Sequence, residues 1–187
     1  MHTNFIAGPL ATILNLITMK NLIYLLLFFY PFCAYGQSDK DYWEKWDSNY
    51  PVIDILKMLD SEKHYADSVE KNPKITPYYV RSDRYRFDAE YIGKVRVIDK
   101  SIKSTMRIVY KLTIGNPKVL DDLIDSEVLI KLGKDTLWMP VQKNILRSLK
   151  DEINNGDTLT LYCLYLNEHS TENGLRNIFI ISEFNKK

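Results

Sequence analysis

Between residues 37 and 187 the side chains best suited to nucleophilic or metal chemistry are His64, His169 and Cys163, and their spacing does not assemble them. Nucleophilic catalysis needs a nucleophile, a base and a group that orients the base. His64 falls in a stretch with helical periodicity and His169 in a polar stretch near the C-terminus, so both read as solvated histidines. Cys163 sits inside the apolar run Thr158 to Leu166 and reads as a small buried hydrophobe. The chain has no G-x-S-x-G and no glycine-rich phosphate loop, and its seven glycines are too few for most cofactor cradles, so no cofactor is expected. Metal binding needs clustered ligands, and neither C-x-x-C nor H-x-x-x-H occurs. Asn167, Glu168, His169 and Glu172 could gather a cation but read first as a polar hairpin tip. Asp121 to Asp125 lacks the glycine and the terminal glutamate of a calcium loop. The separation of two catalytic carboxylates is a property of the fold, so a small secreted hydrolase stays open as an alternative although no pair is nominated.

Charge is more informative in its distribution than in its total. The net charge of +1 gives no global field to draw the protein onto nucleic acid or anionic lipid. Residues 81–118 nevertheless hold ten Lys or Arg against four acids, a local balance of +6, while residues 38–70 hold nine acids against four lysines, a balance of −5. Arg96, Arg107 and Lys111 alternate out of phase with their apolar neighbours, so on neighbouring strands they would form an outward stripe. Lys100 and Lys103 fall in the connection between those strands. These five are the candidate binding residues. Three readings fit them: a solvated face or dock for the acidic helix, a site for an acidic protein or polyanionic glycan, or a site for single-stranded nucleic acid. The last is least favoured, because such sites need exposed stacking rings and both Tyr110 and Trp138 read as facing inward.

The first segment stands apart from the fold. Met19-Lys20-Asn21 precedes the apolar run Leu22 to Ala34, and Ala34-Tyr35-Gly36 then gives a small-x-small site before polar chain. That is the pattern of a secretory signal peptide cleaved after Gly36, with Met19 as the expected start. The run is too short for a membrane span, and Pro31-Phe32 before Cys33 argues against a lipoprotein. An exported protein of the periplasm or beyond follows, whose mature chain keeps Cys163 alone and so forms no internal disulfide.

Residues 38–71 read as helix, with Pro51 in a first turn after Ser48 and Asn49 and an apolar stripe of Val52, Ile55, Leu56, Leu59, Ala66 and Val69. Residues 72–80, with two prolines, read as a linker. Period two then predicts a strand through Tyr85, Phe87, Ala89 and Tyr91 to Val97, with Gly93 at a bulge, and a second strand through Met106, Ile108, Tyr110, Leu112 and Ile114. Val128 to Val141 predicts a third strand, with a turn-like Gly133 that would make it a hairpin. Val141, Ile145, Leu149 and Ile153 predict a helix, followed by strands at Thr158 to Leu166 and Asn177 to Phe184.

This order, with its helix between the third and fourth strands and Gly93 in the first, resembles the OB-fold over residues 84–185. The phrases Leu137-Trp138-Met139-Pro140 and Gly156-Asp157-Thr158-Leu159 are similar to those of small exported OB-like proteins of Gram-negative bacteria. The resemblance implies a mainly β, five-stranded barrel over residues 81–187 behind a helical segment at 37–80. It implies no activity. With no catalytic constellation visible, a non-catalytic binding or interaction module of the periplasm or cell envelope is expected.

Overall fold

A computed structural model describes residues 39–72, 74 and 78–187. The chain divides into two units, Met1–Tyr42 and Trp43–Lys187; the expected signal peptide lies in the first, outside the described residues. Every strand among the described residues lies in the second unit. Its elements are α1 (Asp39–Asn49, which begins in the first unit), α2 (Ile55–Lys71), β1 (Tyr79–Val97), α3 (Lys100–Thr113), α4 (Lys118–Leu123), β2 (Ile124–Leu132), β3 (Asp135–Gln142), α5 (Lys143–Glu152), β4 (Thr158–Ser170) and β5 (Gly174–Lys186).

The five strands close into one sheet in the order β1-β2-β3-β5-β4. All pairs are antiparallel except β3 with β5, which meet in parallel at Val141 and Ile181. α5 lies between β3 and β4, as expected. The protein is mixed α/β rather than mainly β, because a segment expected as strand is helix. Asp99 caps α3, its carboxylate accepting from the Ser101 amide at 2.7 Å and the Ser101 hydroxyl at 2.6 Å. From there Thr105, Met106 and Val109 are buried at helical spacing, while Ile108 and Leu112 of the alternating set are exposed. The strand count still comes to five because Gly133, at φ +64°, opens the Gly133-Lys134 turn that splits Val128 to Val141 into β2 and β3. Gly93, at φ +74°, sits where the β1–β2 register shifts between Tyr91 and Val95, which is the expected bulge.

The N-terminal helix is also broken. Pro51 follows α1 rather than opening a helix, Val52 bridges Arg86 of β1 in extended conformation, and Asp54 caps α2 by accepting from Lys57. The side chain of Val52 is therefore outside the apolar stripe, at 68% exposure.

Two cores lie on opposite faces of the β1-β4-β5 portion of the sheet. Inside the closed sheet, Phe87, Tyr91, Ile130, Met139, Leu161 and Phe179 pack with Ile145 and Leu149 of α5 and Ile55 of α2. Outside it, Leu166, Ile178 and Ile180 pack under Met106 and Val109 of α3 and Leu120 of α4. Full burial of each such side chain contributes about 1.5–3 kcal/mol. Farther along the outer face, Tyr162 is buried against Trp43, Trp46 and Tyr50, and its hydroxyl donates to Asp47 at 2.7 Å.

Candidate functional site

The helix changes what the candidate bases do together. Lys100, Lys103, Arg107 and Lys111 follow one another at three, four and four residues, which puts them on one face of α3. Arg107 and Lys111 of the expected stripe stay together, by helical spacing and not across two strands, and Lys100 and Lys103, expected in a connection, join them. Asp121 of α4 meets the middle of the stripe: Arg107 donates to it, and the Lys103 Nζ stands 3.5 Å away. Desolvation of the Asp121 carboxyl works against ionisation, but Arg107 and Lys103 overcome it and hold the group below its ordinary range. Lys100 and Lys111 form no ion pair among the described residues. One position round from Arg107 and Lys111, Ile108 and Leu112 are 42% and 64% exposed.

Arg96 stands apart from the stripe. On the outer face of β1 its Nε donates to Glu127 at 2.8 Å, and its guanidinium lies 4.2 Å over the centre of the Trp138 ring. Glu127 is almost fully buried, so Arg96 balances a charge inside the structure. It also lies close enough to Asp99 to add to what holds that carboxyl low, after the larger contribution of the Ser101 hydrogen bonds. Trp138 points outward, because Leu137, Met139 and Val141 take the inward phase of β3; the expected inward orientation is corrected. Tyr110 packs against the outer core rather than into the closed sheet.

The chemically suggestive side chains fall as follows. His64 is exposed on α2, its Nδ1 2.8 Å from the Asp60 carbonyl. His169 is not solvated in a loop: β4 runs to Ser170, and the His169 ring is buried. Asn167 and Glu168 are strand residues too, so the expected loop shrinks to the turn before Gly174. Cys163 is buried, which pushes its thiol well above the ordinary range and matches the inert reading. Asp121 and Asp125 have separate partners, Arg107 for one and Ser126 for the other, and no group of metal-ligating residues occurs among the described residues.

Two recesses matter. One of about 450 Å³ is lined by Leu56, Phe87 and Leu132 among others, with Asp54 and Asp88 on it. Both acids are committed: Asp54 caps α2, and Asp88 accepts from Thr160 at 2.8 Å and Lys187 at 2.5 Å. The other, of about 430 Å³, is lined by Ser61, Glu62, Tyr65, Tyr79 and Arg81. Sequence reasoning missed it, because Glu62 and Arg81 are an ordinary acid and base until α2 folds over β1. Comparison with known protein families, curated proteins and solved structures finds no match to the chain.

Proposed function

We propose that the chain is a non-catalytic binding module of the periplasm or cell envelope, built on an OB-like barrel, that engages an acidic protein through the exposed face of α3. The single observation behind this is the stripe of Lys100, Lys103, Arg107 and Lys111, in which one carboxylate offsets two of four cations. Exposed Ile108 and Leu112 beside it favour a protein, which has apolar side chains to offer, over a polyanionic glycan. Strand order, the helix between β3 and β4 and the bulge at Gly93 support the OB-like reading. In such folds the connection between the first two strands commonly touches ligand; here that connection is α3 and α4. The expectation of export rests on the Lys20 to Gly36 pattern. A nucleic-acid reading is less well supported, because Arg96 covers the face of the outward Trp138 ring.

The test leaves Arg96 alone and reverses the unpaired ends of the stripe. A tagged full-length chain is expressed in its own host, and envelope proteins retained by wild type and by Lys100→Glu/Lys111→Glu are compared by mass spectrometry. An acidic protein retained by wild type, released at high salt and lost from the variant supports the reading. Equal retention by both chains removes α3 as the surface. Retention of an anionic glycan alone replaces the protein partner with a polymer.

A further inference from the structure

The inward face of the sheet changes character along its length. On β1 the residues in phase with Phe87 and Ala89 continue outward as Tyr85, Asp83, Arg81 and Tyr79; on β4 Tyr165 is followed in phase by Asn167 and His169; on β5 Phe179 is preceded by Asn177. Register joins them laterally, Tyr79 with His169, Arg81 with Asn167, and Asn167 with Asn177. α2 meets this end through Glu62, which accepts from both the Tyr79 hydroxyl and Arg81. Behind them the Asn167 amide donates to the Tyr165 hydroxyl and to Asn177, each at 2.7 Å.

This end is buried more completely than it is satisfied. Asn167 is 0% and His169 1% exposed, yet the Asn167 side-chain Oδ1 and both His169 ring nitrogens make no hydrogen bond. The His169 ring packs against Tyr78 and Tyr79, and a Glu70 oxygen stands 3.5 Å from its Nε2. Each unsatisfied buried group costs about 1–3 kcal/mol, and native folds retain few of them. Apolar residues on the same strands would avoid that cost, so a polar interior here calls for a role other than packing. Tyr79 and Arg81 belong both to this interior and to the wall of the 430 Å³ recess, which also presents the Tyr65 ring 5.0 Å from that of Tyr79.

The lining selects a ligand. Glu62 and Arg81 neutralise each other, so the recess has little net charge with which to draw an ion. It offers donors and acceptors close together beside aromatic rings, and a volume that holds one or two six-membered rings. A sugar ring matches that chemistry: its C–H face lies on a tyrosine ring and its hydroxyls both donate and accept. We propose that the recess between α2 and β1 binds a neutral saccharide of one or two rings. This site is separate from the α3 stripe and does not depend on it.

The experiment titrates the full chain with maltose, cellobiose and chitobiose, following amide shifts of residues 61–65 and 79–81 by NMR and affinity by calorimetry. Expected are saturable shifts at both segments with at least one sugar, an affinity that does not change with salt, and weakening of about ten-fold in Tyr65→Ala. Tyr65 is 40% exposed, so that variant keeps its fold, which its urea midpoint verifies. Lys100→Glu/Lys111→Glu binds sugar as wild type does, which keeps this test independent of the partner surface. Absence of shifts with all three sugars overturns the proposal, as does unweakened binding by Tyr65→Ala. A steep fall of affinity with salt overturns the neutral class.

Discussion

Arg96 shows how far a residue's type can mislead about its task. Its phase on β1 and its charge were legible, and both suggested a ligand contact. Its partners were not legible, since Glu127 lies on β2 and Trp138 on β3, and only pairing brings them under one guanidinium. Removing one member of a buried ion pair leaves the other uncompensated, at a cost of about 3–5 kcal/mol. Arg96 is half-exposed, so Arg96→Leu should fall near the lower end, about 3 kcal/mol, read from the shift in urea midpoint. Glu127→Gln should cost less, because it removes the buried charge with its partner's need for it. A variant at Arg96 with wild-type stability would mean that Glu127 has another counter-charge. The outward phase of Trp138 could have been read from sequence, since Leu137, Met139 and Val141 already claim the other face.

At the scale of elements, α3 carries the largest difference between expectation and structure. Met106, Ile108, Tyr110, Leu112 and Ile114 alternate well enough for a strand, and intrinsic preference cannot decide between two periods over so few residues. The deciding signals were Asp99 with Ser101 two residues on, a cap, and four bases at helical spacing. Two substitutions separate the assignments. Met106→Ala should cost about 2–5 kcal/mol, because Met106 fills the outer core. Leu112→Ala, in the same alternating set, should stay within about 0.5 kcal/mol, because its side chain faces solvent. Equal large losses at both positions in urea unfolding would restore the strand. The expected stripe thus kept two of its three members, Arg107 and Lys111, lost Arg96 to Glu127 and gained Lys100 and Lys103 from the expected connection, whereas β1, α5 and the bulge at Gly93 were legible because each rests on one local pattern.

For the whole molecule, burial of tyrosine on both faces of the sheet sets its response to alkali. Burial raises the phenols of Tyr50, Tyr79, Tyr85, Tyr91, Tyr162 and Tyr165 above their ordinary value of 10, with accepting carboxylates at Glu62 and Asp47 adding to the effect at Tyr79 and Tyr162. A phenol raised in the folded state favours folding fully below its unfolded value, and that advantage is lost as pH rises above it. Stability should therefore be insensitive to these groups below about pH 10 and fall above it. Absorbance titration of phenolate should show the thirteen tyrosines splitting into an early group and a late one that ionises together with loss of circular dichroism. A single smooth titration with the fold intact would contradict the burial. The closing of the sheet was expected only through the resemblance in element order, since β3 and β5 touch in parallel at one pair and no local pattern announces that contact.

β4 pairs with β1 from Tyr79–His169 to Glu90–Thr158 on one side and with β5 along its whole length on the other. The strand that joins the sheet is thus almost the last to be synthesised. Until it exists, the first half of β1 has only the short Pro51–Ile53 stretch to hydrogen-bond with along its backbone, and Phe87, Ala89 and Tyr91 have no closed interior to enter. Contacts between residues so distant in sequence must close a long loop before they are rewarded, which places assembly on the slow, millisecond-to-second side of folding. A nascent chain of this kind keeps its sheet open until its last two strands, β4 and β5, have been made.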